Sequence, residues 1–237
     1  MEPNPSETRE LVEELLEEWG DYEDASIMHQ PAARRGKVIT GADVARITAV
    51  IGLARHVHDT SRAVLLLFDA GHEAAATPLV RLAYEGALTA AWLVQSREQH
   101  GVLAFLHEHA RTRAALKRDA SQAMSSVYRE GVNQLRDTDM TPYMGSLDSA
   151  RQFAQVCDDL TPGGKEAYVL YWIVSAYSHA SVQVVDLYFA PAATGGIPSS
   201  RAKADGTIGQ SGLLFLTASA MIWSARAHSY LTQDKTH

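Results

Sequence analysis

Along most of this chain, apolar residues return every three or four positions, and no region alternates apolar and polar residues over several successive segments. That pattern predicts helices and no sheet. Ser6 is expected to cap the first helix, whose stripe is Leu11, Val12, Leu15, Leu16 and Trp19, and Gly20 to end it. Residues 21–41 then read as a linker containing "QPAARRGK". A long helix is expected from Asp43 to Ala70, with Val44, Ile47, Ile51, Ala54 and Val57 ahead of "AVLLLF" and Gly71 behind it. A second covers "TPLVRLAYEGALTAAWLV" (77–94), with Pro78 near its start or at a kink. A third starts at Gly101 and enters the 130s, with a break near Asp119. Beyond the loop "RDTDMTPYMG", Ser146 is expected to cap a short helix through Asp158, and "TPGG" (161–164) to start another, "KEAYVLYWIVSAYSHASVQVVDLYF". The Gly/Pro/Ser-rich stretch 190–210 reads as a long loop before a last helix over roughly 211–231. "VQVVDLYF" has the composition of a strand but no sheet to join. The fold class is therefore all-α, one bundle of about six to seven helices: residues 1–41 as an acidic amphipathic helix plus linker, and 42–237 as the helical-bundle domain. No repeat of a solenoid period is present.

Composition changes this picture little. Of 237 residues, 46% are hydrophobic and 21% charged, as in an ordinary globular protein. The single cysteine, Cys157, excludes an internal disulfide and a four-cysteine zinc site. The acidic N-terminus lacks the basic start and apolar run of a signal peptide. The apolar runs 167–189 and 212–225 are, respectively, interrupted by His179 and Asp186 and too short to span a bilayer comfortably. The expectation is a cytoplasmic protein with no membrane partner. Charge is placed unevenly. Residues 1–24 hold ten acids against Arg9 alone, a charge of −9, so the overall −7 leaves +2 on the remainder. The global charge describes the first helix and does not oppose an anionic ligand elsewhere.

Chemistry is sparse, and one oddity directs attention. Arg81 and Glu85 sit one turn apart inside the most apolar helix, where two charges removed from water need further hydrogen bonds to complete them. The best supplier is the other interrupted apolar run, "SAYSHAS", with Ser175, Ser178 and His179. If the two helices pack side by side, Arg81, Glu85, Tyr84, Ser175, Ser178 and His179 form a pocket. In it Arg81 would hold a small anionic or nucleotide-like ligand. A Glu85–His179 contact would fix the imidazole tautomer and suit His179 as a general base. The same residues equally fit a structural ion pair at a helix seam and a satisfied core histidine.

The helix with Gly71, Ala75 or Ala76, Leu79, Arg81 and Glu85, followed by Tyr171, Tyr177, Ser178 and His179, resembles a group of uncharacterised bacterial all-helical proteins over roughly residues 43–190. That group is related in outline to the HEPN superfamily (higher eukaryotes and prokaryotes nucleotide-binding) and to abortive-infection-like proteins. The resemblance implies a helical bundle, often dimeric, with a regulatory or defence-related role in nucleotide or RNA handling. The superfamily's ribonucleases carry Arg, four to six residues, then His on one helix. Here Arg55–His58, Arg97–His100 and Arg226–His228 are all too close for that arrangement, so a ribonuclease of that type is not expected.

Other chemistries find less. Residues two apart on a helix diverge, so "HVH" (56–58) and "HEH" (107–109) do not chelate and are expected to face solvent. No His-x-x-x-His or Glu-x-x-His pair occurs, and neither a metal nor a cofactor is expected. Arg111, Arg113, Lys117 and Arg118 form a basic stripe that suits nucleic acid, although few aromatics interleave it. "GTIGQSG", with Arg201 and Lys203 upstream, meets neither phosphate-loop fingerprint, and no Gly-x-Ser-x-Gly elbow exists. The loop 190–210 could serve as a lid over the helical pocket. Three readings follow: a bundle binding a small anionic or nucleotide-like ligand, a homodimeric interaction scaffold, or an enzyme (a hydrolase or RNA-processing enzyme) with His179 as base.

Overall fold

The structure, a computed structural model, describes residues 4–26, 40–97, 99–134, 150, 152–190, 196, 198–201, 204 and 208–232. Among these it is all-α, with α1 (Pro5–Ser26), α2 (Gly41–Asp69), α3 (Glu73–Gln95), α4 (His100–Ser121), α5 (Ser126–Asn133), α6 (Phe153–Asp158), α7 (Gly164–Ala176), α8 (Val182–Asp186) and α9 (Gln210–Thr232). Among the described residues nine helices stand where six or seven were expected: the third stretch breaks after Ser121, close to the break expected near Asp119, and the run from Gly164 is divided as well.

The second of these breaks matters most. "KEAYVLYWIVSAYSHASVQVVDLYF" is not one helix, since α7 stops at Ala176 and α8 begins at Val182. Serine hydroxyls compete with the helical ladder between them. The Ser178 hydroxyl donates to the Val174 carbonyl (2.7 Å) and that of Ser181 to the Ala176 carbonyl (2.8 Å). Ser181 also caps α8 by accepting from the Val184 amide (3.3 Å). The chain then extends into a two-residue antiparallel pairing, β1 (Phe189–Ala190) with β2 (Ser199–Ser200), in which Phe189 comes from the run read as helix and the other three from the stretch 190–210 read as a loop. Most of 191–207, with Lys203, and also "QPAARRGK", "RDTDMTPYMG" and Ser146, lie outside the described residues.

Three helix ends also differ from the sequence reading. Asn4, not Ser6, starts α1, its side chain accepting from the Ser6 amide (3.1 Å). Gly20 does not stop the helix, because a mid-helix glycine costs only about 1 kcal/mol. Thr40 opens α2 with a capping box closed by Asp43.

α3 is the centre of the molecule. It packs against α2 and α9 on its broad apolar face and against α6 and α7 on another, so Val80, Ala83, Ala87, Leu88, Ala90, Trp92 and Leu93 are buried along nearly its whole length. α1 lies across α9 and α2, inserting Val12 and Trp19. The α6–α7 corner is tied to the end of α3. There the Trp92 indole donates to the Asp159 carboxylate (3.0 Å), and the Gln95 side chain accepts from the Thr161 amide (3.0 Å). Gly163 turns that corner at φ +89°, and a Cβ at Gly164 would run into the Cys157 carbonyl, so glycine is required at both. These ties fix where α7 lies against α3.

Candidate functional site

Arg81 reaches from α3 toward α7. Its Nη2 donates to Glu85 Oε2 (3.0 Å) and to the Tyr171 hydroxyl (2.7 Å), and its guanidinium lies 5.2 Å from the Tyr171 ring centre. The Tyr171 ring in turn packs on Phe153 of α6, with centroids 4.2 Å apart. The expected polar cluster on α3 thus exists, with a different third member: a tyrosine one turn ahead of Ser175. The ion pair is not fully buried as the sequence suggested. The Arg81 side chain keeps 22% of its exposure and that of Glu85 36%, because α7 covers only one side. Arg81 Nε is buried with no hydrogen-bond partner among the described residues.

The residues expected beside this pair are elsewhere. His179 lies beyond the end of α7 and is exposed, so it shares no helix face with Ser175, and among the described residues nothing bonds it to Glu85 or Arg81. The Ser178 hydroxyl is taken by its own backbone, and Ser175 is half-buried on the last turn of α7. Tyr84 is buried on α3, where burial and the nearby Cys157 push its hydroxyl up to about 12. Burial, with Asp158 and Glu85 adding negative charge, likewise pushes the Cys157 thiol up to about 12. The thiol is therefore protonated and packs in the core without nucleophilic character.

Replacing Glu85 with Ala is expected to lower unfolding free energy by about 1 kcal/mol, the scale of a half-exposed pair, and not by the ~3–5 kcal/mol that breaking a buried one costs. Urea denaturation at pH 7 checks this. A loss at the larger value would mean that the pair is covered in solution by something beyond this chain.

The basic stripe of α4 is partly neutralised within its own helix. Arg111 makes two hydrogen bonds to Glu108 (2.7 and 2.6 Å), and Arg118 pairs with Asp119 (3.1 Å). No group of three potential metal ligands occurs among the described residues. The histidine pattern hid a different fact: His58, expected in solvent, is 1% exposed. Its ring stacks on Trp19 of α1 (centroids 4.0 Å apart, planes at 11°), and Trp19 meets His228 of α9 edge-on (5.3 Å). The Nδ1–H of His58 donates to the Ala54 carbonyl (2.8 Å). Loss of hydration on burial lowers the His58 pKa to about 4, with Arg62 and His228 acting the same way and the Ala54 bond and Asp59 opposing. The signal was present in the sequence, because His58 follows Ala54 by one turn and precedes Leu65 by two on the apolar stripe of α2.

Among the described residues no helix is long and apolar enough to cross a membrane. The model of a family of unknown function, DUF5677, matches residues 48–196, which is more than half of the chain and includes α3, α6, α7 and α8. No curated protein and no solved structure matches the chain.

Proposed function

The chain belongs to the DUF5677 family of unknown function, and from that premise we propose that it is a homodimeric interaction scaffold whose contact face is the outer side of α7. The observation that carries this is Trp172. It is 63% exposed on a helix whose opposite side is packed, with Val169 (56%) and Ile173 (38%) beside it at i,i+3,i+4 spacing. Val182 and Val185 extend the exposed apolar run into α8. Together these side chains offer on the order of several hundred Å² of apolar surface, approaching the ~800 Å² per partner of a standard interface.

A second copy is the occupant that the charge pattern favours. In a two-fold contact the same patch meets itself, so a charge near the axis faces its like. From Ala167 to Val185 the chain has no Asp, Glu, Lys or Arg. On this reading the Arg81–Glu85–Tyr171 cluster is structural: it sets the angle at which α7 presents its face.

The other readings draw less support from the same geometry. An anionic or nucleotide-like ligand at Arg81 would have to displace Tyr171 or approach against the charge of Glu85. Among the described residues no carboxylate is bonded to His179 to orient it as a general base. The wider HEPN likeness, with its regulatory or defence role and RNA handling, rests on the same short motifs. Sedimentation velocity tests the scaffold. The expected result is a dimer at ~50 μM that Trp172→Glu converts to a monomer of unchanged helical circular dichroism, since a charge forced against its like at the centre of an interface costs several kcal/mol. A wild-type monomer, or a dimer indifferent to Trp172→Glu, would sink the proposal.

A further inference from the structure

The largest buried side chain of α1 is Trp19, and it sits on two imidazoles. Its ring lies flat on His58 of α2 and meets His228 of α9 with its edge, and both histidines are buried beneath it. Val12, with Leu15 and Leu16 partly buried, completes the apolar contact. The helix adds little of its own. Glu10, Glu13, Glu14, Glu17 and Glu18 are exposed, so like charges stand three and four residues apart along it. Arg9 is the one cation of α1, and its last turn holds no basic residue to answer the helix dipole. Such a helix is kept by its docking rather than by its own propensity. Its docking in turn rests on a ring stacked over a group that can take a proton.

We propose that α1 is an acid-released strap, which leaves its seat on α2 and α9 as the imidazole beneath Trp19 takes a proton, while the rest of the bundle stays folded. With α1 seated, His58 is cut off from water and stays neutral down to about pH 4; with α1 released it is hydrated and protonates near its ordinary 6.5. As the pH falls between those values, only the released form binds the proton, so the ratio of released to seated α1 rises tenfold per unit. From pH 7 to pH 5, above the ordinary carboxylate range, the rise is about twentyfold. The charges around His58 are Asp59, which favours its protonation, and Arg62, which disfavours it, both on its own helix. His228 of α9 also disfavours it, and among the described residues no charged group of α1 or α3 acts on it. In the released state the seats of Trp19 and Val12 are open to solvent. The strap shares no residue with the α7 face, so its test does not depend on the dimer.

The test is amide hydrogen exchange of the full chain at pH 7 and pH 5, corrected for the intrinsic exchange rates and repeated in low urea. The amides between Val12 and Trp19 should be less protected than those between Val80 and Leu93 of α3 at both pH values. Their exchange should respond only weakly to urea, since releasing one helix exposes little surface. Their protection should fall about twentyfold from pH 7 to pH 5. In His58→Gln, whose amide can still donate to Ala54, the same change should stay below about threefold. The imidazole C–H shifts of His58 in the wild type give a reading that needs no variant, and they should not move until the pH approaches 4. Exchange of α1 and α3 at one level with one urea dependence would mean that α1 leaves only when the whole protein unfolds. That result, a pH-independent α1, a twentyfold fall that persists in His58→Gln, or titration of His58 near 6.5 with α1 still protected would each overturn the strap.

Discussion

Lowering the pH from 6.5 to 4 is expected to remove about 3 kcal/mol of stability through His58 alone. The folded protein holds this imidazole neutral down to about pH 4, whereas an unfolded chain protonates it near 6.5. Between those values the unfolded state binds the extra proton, so unfolding free energy falls as the pH falls, by about 1.4 kcal/mol for each unit of difference. Above 6.5 neither state is protonated and the term is flat; below 4 both are, and no further loss comes from this residue. Carboxylates titrate in the lower part of the window, so the measurement is a difference. Urea midpoints of the wild type and of His58→Gln, whose amide can still donate to Ala54, are compared at pH 7, 6, 5 and 4. The wild type should lose stability faster. Parallel curves would mean that His58 is hydrated in solution, contrary to its place beneath Trp19.

Removing that cover is the second large effect. Trp19→Ala is expected to cost about 3–5 kcal/mol, the range for deleting a buried tryptophan side chain. Trp19 joins three helices, with its own on one side, His58 of α2 against its face and His228 of α9 at its edge. The loss should therefore exceed what its area gives, because the other anchors of α1 are smaller: Val12, the partly buried Leu15 and Leu16, and an Arg9–Asp69 pair (2.8 Å) whose carboxylate is mostly exposed. The variant carries a second signature. With water admitted to His58, its pKa returns toward 6.5 and the acid sensitivity just described shrinks. A thermal midpoint unchanged by Trp19→Ala would show that α1 does not dock on α2 and α9.

The two effects also show which parts of this molecule a sequence reveals. Helices α2, α3 and α9 were legible because each has a long apolar stripe bounded by clear start or stop residues, and such stripes report burial directly. The Arg81–Glu85 contact was legible for the same local reason: residues four apart on a helix meet whatever the rest of the chain does. Its third partner was not. Tyr171 is ninety positions away, and whether it or Ser175 turns toward Arg81 depends on the rotation of α7, which is set by the Trp92–Asp159 and Gln95–Thr161 bonds. The stop at Ala176 was hidden in another way. Serines at 178 and 181 are neutral in a pattern count, and only the backbone bonds that they choose end the helix.

The docking of α1 on α9 has a consequence for how the protein is made. Translation produces α1 before the rest of the bundle, yet most of its apolar stripe has nothing to lie on until α9 has left the ribosome. For that interval Val12, Leu15, Leu16 and Trp19 are exposed to whatever else is nascent nearby. The carboxylates at Glu7, Glu10, Glu13, Glu14, Glu17 and Glu18 then matter most, as a repulsive coat on an orphan helix that keeps neighbouring copies apart. The acidity that contributes little to the finished fold is, on this view, protection for an unfinished one.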